Sequence, residues 1–140
     1  MHLTARDPET ILAEVFGHAV FRGQQGDVVR HVTDGGDAVV LFPTGAGKSL
    51  CYQVPALCRP GVAIIISPLI ALMKDQVEGL PSAAQRLATF VNSSLSEAEL
   101  LARMQAIAQG QFKLIYAAPE RLRQRTFLGA LRQANINLFV

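Results

Sequence analysis

Phe42-Pro43-Thr44-Gly45-Ala46-Gly47-Lys48-Ser49 lies between a short apolar run, Ala38 to Leu41, and a stretch, Leu50 to Leu57, that suits a helix. Strand, glycine-bearing loop, Lys-Ser and helix together are the sequence form of a phosphate-binding loop. Gly45 and Gly47 let the backbone turn where a side chain would resist, so that amide N–H groups can converge on phosphate oxygens. A helix starting near Lys48 points its positive dipole end at the same anion. Lys48 is placed to reach the outer phosphates as a point charge, and the Ser49 hydroxyl can ligate a magnesium ion that bridges them. The strict pattern has a glycine where Phe42 stands, so the bare motif is incomplete. A chance Gly-rich turn ahead of a helix would leave the same string, but the flanking strand and helix argue against it.

Around this loop the composition sets bounds. A chain of 140 residues, half of them apolar, fits one domain or part of one and can fill a core. The net charge of +2 neither demands nor excludes nucleic acid, but its distribution is uneven. Residues 1–100 hold seven bases and ten acids, whereas residues 101–140 hold Arg103, Lys113, Arg121, Arg123, Arg125 and Arg132 against the single acid Glu120. Such a segment is equally a solvated face or a phosphate-contacting surface. Cys51 and Cys58 stand two helical turns apart, roughly 10 Å, too far for a disulfide, and read as buried free thiols of a reducing cytosol. No apolar run approaches the ~20 residues that span a bilayer, and no signal peptide is visible at the start. The chain is expected in the cytoplasm.

In chain order, Asp7-Pro8 reads as an N-cap and first helical position, with Ile11, Leu12, Val15 and Phe16 at helical spacing and Gly17 as the closing residue. A second helix is predicted from about Gln24 to Thr33. Ala38 to Leu41 is expected to be a buried strand. Val62 to Ile66 is a branched apolar run suited to a strand buried on both faces. Leu69, Leu72, Met73, Val77 and Leu80 mark a helix face that Pro81 stops. Leu87 to Val91 is a third strand, closed by Asn92-Ser93. Ser96 and Glu99 form a capping box for a helix that Gly110 ends. Leu114 to Ala118 is a fourth strand, Glu120 to Gln133 is basic and partly helical, and Leu138 to Val140 begins another buried strand. Lys74 and Asp75 fall on a solvated face, and His2 and His31 carry no readable role. Alternating strands and helices predict an α/β fold of three layers with a mostly parallel sheet, whose ligands bind at the carboxyl ends of strands. The loop after Leu41, Ser67-Pro68 and Pro119-Glu120-Arg121 all occupy such ends.

The string Phe42 to Leu57 resembles the phosphate loop and following helix of RecQ-family DNA helicases, in which the first glycine of the strict pattern is often missing. Phe16-Gly17 with Phe21-Arg22 and Gln25 resembles the family's adenine-holding element. Ile66 to Val77 and Tyr116 to Leu122 resemble its next motifs, and Val91-Asn92-Ser93 falls at its Asn-Ser turn. The likeness covers the chain from about Leu12. It implies a RecA-like P-loop NTPase domain that uses ATP and Mg2+ and acts on single-stranded and partly duplex DNA. The family's activity is ATP-dependent 3′-to-5′ unwinding in recombination and repair, and the resemblance implies the nucleoid as its place in a bacterium.

The resemblance further implies that His18, Arg22 and Gln25 face adenine. The family often has a stacking Tyr where His18 stands, and histidine is a smaller platform. Thr44, Gly45, Ala46, Gly47, Lys48 and Ser49 would hold the phosphates, with Lys48 catalytic and Ser49 on the metal. Ser67, Pro68, Leu69, Asn92 and Arg121 would contact DNA, chiefly its phosphates. In the family the strand begun by Leu138 to Val140 runs into an Asp-Glu-Ala-His motif. Residues 1–140 therefore read as an incomplete first part of the first motor lobe, without the second lobe or the downstream zinc-binding and winged-helix parts. An arginine finger alone is worth on the order of 10³ to 10⁵ in rate. The chain by itself is expected to bind ATP but not to hydrolyse it. Two other readings stay open at this point. A small-molecule kinase would account for Lys48 and Ser49 but not for the other motifs. A nucleotide- or DNA-binding module without catalysis would account for both sets.

Overall fold

The computed structural model describes residues 7–43 and 47–140, and the chain falls into two compact units, one up to Pro60 and one from Gly61. In the first, Asp7 caps α1 (Pro8–Glu14), its carboxylate accepting from the Thr10 backbone N–H at 3.3 Å and the Thr10 hydroxyl at 2.9 Å. Ile11 and Leu12 are its buried face. The helix stops before Val15, and Gly17 adopts a left-handed φ of 71° as the chain turns away. Two further helices follow, α2 (Gln25–Thr33) and α3 (Leu50–Cys58), and α3 packs against both α1 and α2. Val29 and Val54 are fully enclosed. Cys51 and Cys58 are buried free thiols on α3, and burial pushes the Cys51 thiol up from its ordinary pKa.

The strand expected over Ala38 to Leu41 is not formed. Residues 37–43 carry no ladder, and Val39 and Leu41 are 91% and 90% exposed. A four-residue apolar run has little strand stability of its own. It needs a neighbouring edge to pair its N–H and C=O groups, and none engages it among the described residues.

The second unit is a parallel sheet of β1 (Val62–Ile66), β2 (Ala88–Val91), β3 (Leu114–Ala117) and β4 (Ile136–Phe139), in spatial order β2-β3-β1-β4. Ile64 pairs with Ile115, and Thr89 pairs with Ile115 from the other side. Pleat alternation sends Val62, Ile64, Ile115, Ala117 and Val91 to one face. There they meet Met104 and Ile107 of α6 (Glu97–Ala108) and Phe127, Ala130 and Leu131 of α7 (Arg125–Ala134). Two other helices, α4 (Ile70–Glu78) and the single turn α5 (Ser82–Gln85), contact β2 and bury Met73, Val77 and Ala84. Helix, sheet and helix layers follow, as the alternating pattern requires.

Three expectations are adjusted. β4 starts at Ile136 rather than Leu138 and is an edge strand, with Phe139 64% exposed. Among the described residues it pairs only with β1. On α4 the predicted apolar face is buried only in part, since Leu69 and Leu72 stand out at 54% and 47% exposure while Met73 and Val77 are enclosed. α5 was not expected. Its Ser-Ala-Ala-Gln turn has Pro81 at its N-cap, while α4 ends at Glu78 with Gly79 as its C-cap, two residues before Pro81.

The capping box on α6 is complete. Ser96 Oγ accepts from the Glu99 N–H at 3.2 Å, and Glu99 Oε1 accepts from the Ser96 N–H at 3.3 Å. The Ser96 side chain and backbone donate to the Glu99 carboxylate, and Arg103 adds its charge, so the Glu99 carboxyl titrates below its ordinary value. A depressed carboxylate stabilises the fold above its unfolded pKa and stops doing so as the pH falls through its lowered folded pKa. Ser96→Ala should therefore cost about 1 kcal/mol at neutral pH by urea denaturation, and Glu99→Gln should flatten the acid limb of the stability profile. An unchanged urea midpoint in both variants would contradict the cap.

Candidate functional site

Two sets of sequence-predicted residues are gathered, one in each unit. In the first unit the start of α2 lies against the start of α3 through Gln25. This side chain is 4% exposed. Its Oε1 accepts from the Arg22 backbone N–H at 2.8 Å, and its Nε2 donates to the Gly47 carbonyl at 3.1 Å. A side-chain amide can donate and accept at once from two separate atoms, so one residue joins the loop before α2 to the loop before α3. Gly47 has a φ of 77°, and a Cβ there would collide with Gln25 Nε2. Glycine is required at this position twice over, by backbone conformation and by the closeness of the amide.

Lys48 and Ser49 follow, both exposed, where α3 begins. Ser49 occupies the N-cap position but makes no side-chain capping bond, so its hydroxyl is open to an outside ligand. That oxygen is a hard donor of the kind magnesium takes. Among the described residues no group of three His, Cys, Asp or Glu side chains could hold a metal, so an ion here would need phosphate oxygens to complete its shell. Arg22 and His18 are exposed on the preceding loop, with the His18 N–H returned to the Leu12 carbonyl at 3.1 Å. Thr44, Gly45 and Ala46 lie outside the described residues. Gln25, Gly47, Lys48 and Ser49 are thus brought together, while His18 and Arg22 flank them.

In the second unit the loops after β1, β2 and β3 all leave the carboxyl edge of the parallel sheet. Ser67 N–H bonds the Ala117 carbonyl at 3.1 Å, and Ala118 N–H bonds the Val91 carbonyl at 3.3 Å, which continues the ladders into these loops. Ser67 Oγ accepts from the Leu69 N–H at 3.2 Å and so shapes the turn into α4. Pro68 and Leu69 are exposed. Asn92 behaves differently from a surface contact. It is 2% exposed, its Oδ1 accepts from the Ser94 N–H at 2.9 Å and from the Ser94 hydroxyl, and its Nδ2 donates to Met73 Sδ at 3.6 Å. Arg121 sits in the 3-10 turn Pro119–Arg123, where Nη2 donates to the Asn92 carbonyl and Nη1 to Gln124 Oε1, each at 2.8 Å. Met73 was read only as part of a helix face, and Gln124 was not singled out from the sequence. Gln124 lies three residues after Arg121, a spacing that brings side chains together on a turn, and this was the only local signal.

At the far edge, Arg103 lies 5.1 Å over the Phe90 ring and donates to the Phe90 carbonyl at 2.6 Å, covering part of the open side of β2.

Comparison with known proteins gives this geometry a context. The model of the DEAD/DEAH box helicase family matches residues 22–140. The chain is 41% identical over 131 residues to "ATP-dependent DNA helicase RecQ" of Bacillus subtilis, covering 93% of the chain and 22% of that relative. It is 40% identical over 127 residues to the protein of the same name from Haemophilus influenzae, covering 91% of the chain and 20% of the relative. It is 36% identical over 124 residues to "ATP-dependent DNA helicase Q-like 5" of Arabidopsis thaliana, covering 89% and 13%. The chain spans about a fifth of the length of the first two.

The Gln25–Gly47 contact makes a non-additive prediction. Gly47→Ala should cost about 1–2 kcal/mol for the left-handed backbone alone, and more because the new methyl displaces Gln25. In a Gln25→Ala background the displacement has no object, and only the backbone cost should remain. Urea denaturation of the two single variants and the double variant measures this. Strict additivity would contradict the contact.

Proposed function

Because the chain belongs to the DEAD/DEAH box helicase family, we propose that it forms the ATP-binding part of a RecQ-type DNA helicase, coupling ATP hydrolysis to 3′-to-5′ unwinding in recombination and repair. The observation that carries this reading is the family match over residues 22–140, which takes in the phosphate loop and all three rim loops at once. A kinase reading accounts for Lys48 and Ser49 and leaves the rim without a purpose.

In the proposed site Lys48 places its ammonium against the outer phosphates of ATP, where its charge has no competing carboxylate among the described ion pairs. Backbone N–H groups from Thr44 to Ser49 would bind the phosphates, as a phosphate-binding loop requires. Magnesium bound between Ser49 and the phosphates would supply positive charge where negative charge develops. His18 and Arg22 offer flat surfaces to the adenine ring, and Gln25 holds the base-side loop in register with the phosphate-side loop.

At the rim, single-stranded DNA would run across the carboxyl ends of β1, β2 and β3. Ser67, with its O–H still able to donate, Pro68 and Leu69 would border it on one side and Arg121 on the other. Contacts of this kind hold a backbone without reading bases. Partly duplex DNA would be the unwinding substrate. Among the described residues no helix is long and apolar enough to cross a membrane.

Lys48→Ala should weaken binding of a non-hydrolysable ATP analogue about 10- to 100-fold, the worth of one charged hydrogen bond. Unwinding by the protein should fall at least as far. Duplexes with a 3′ or a 5′ single-stranded tail test polarity, and the 3′-tailed one should open. Nucleotide affinity indifferent to Lys48 would overturn the assignment of the loop.

A further inference from the structure

Arg121 is half-buried and carries a charge that no carboxylate pairs among the described residues. It is nevertheless not free to swing. Nη2 is held by the Asn92 carbonyl, on the loop after β2, and Nη1 by Gln124 Oε1, at the start of α7. The first anchor is itself fixed, because the buried Asn92 side chain is bonded to Ser94 on its own loop and to Met73 on α4. Both anchors are neutral acceptors. They use two of the five guanidinium N–H groups, and the remaining three keep their direction in the same plane.

An arginine pinned by neutral partners differs from one in a salt bridge. Its position is set, so little rotamer freedom is lost on binding, and its full charge is left for an anion. We infer that Gln124 is a positioning residue that holds Arg121 ready for a phosphate of single-stranded DNA, acting through the arginine and not on the DNA. This rests on the DNA-binding reading of the rim given above. Gln124 is exposed, so replacing it leaves the core intact.

The test is a double-mutant cycle on the protein, with a fluorescently labelled oligothymidylate titrated at several salt concentrations. Gln124→Ala frees Arg121 without removing its charge. Affinity should fall about two- to tenfold, the cost of immobilising one long side chain, and the salt dependence should not change. Arg121→Ala removes one phosphate contact, so the slope of log affinity against log salt should fall by about 0.7. Gln124→Glu keeps an acceptor for Nη1 but neutralises the charge, and should resemble Arg121→Ala in slope. In the Arg121→Ala background, Gln124→Ala should have no further effect. If wild type binds and the two alanine effects simply add, or Gln124→Ala binds like wild type, the positioning role is wrong while the DNA reading stands. Wild-type protein with no salt-sensitive binding would overturn both.

Discussion

Two almost wholly buried strands, β1 and β3, govern the second unit. β3 has no exposed residue, and the first four residues of β1 are buried. Each backbone N–H and C=O in them must be paired inside the sheet, because an unmade bond in that setting costs about 1–3 kcal/mol against a net gain of about 1 for one that is made. Parallel pairing on both sides supplies the partners, and the large side chains of Ile64, Ile115 and Tyr116 fill the faces. The rim of Ser67, Asn92 and Arg121 exists because it is where the buried ladders run out and the chain has backbone groups left to satisfy.

The rim satisfies them in a particular way. Asn92 turns its amide inward and builds a turn, and the carbonyl this leaves outside is taken by Arg121. A charged group is held by uncharged ones, so the surface stays positive at a defined point. The first unit uses the same device. Gln25 gives its two polar atoms to backbone groups of two different loops, and Lys48 is left without a partner among the described ion pairs. In both units neutral hydrogen bonds set the geometry, and a cation is left for an anionic ligand.

Much of this was legible in the residues. Local signals read well, because they need only neighbours in sequence. The Asp7-Pro8 start, the Ser96–Glu99 box, the branched run Val62 to Ile66 and the closing Gly110 all appear where expected, whereas the first helix, expected to take in Val15 and Phe16, ends at Glu14. What needed a partner from elsewhere read poorly. Ala38 to Leu41 has the composition of a strand but pairs with no edge among the described residues, and Phe139 lies on a strand that pairs only with β1 among them. Asn92 and Arg121 were identified as polar loop residues. That they bond each other across 29 positions could not be inferred, since a side chain's partner is set by the sheet order and not by the string around it. Gln124 went unnoticed although its partner is three residues away, because nothing in the string marks which polar neighbour on a turn it bonds.

The most direct test of the central claim, that one unit holds nucleotide phosphates and the other a nucleic-acid strand, is amide hydrogen exchange of the protein with each ligand in turn. A non-hydrolysable ATP analogue should slow exchange at residues 22–25 and 47–50. Single-stranded DNA should slow it at residues 67–69, 92–94 and 119–124. Protection by either ligand confined to other segments, or none with saturating ligand, would contradict the account.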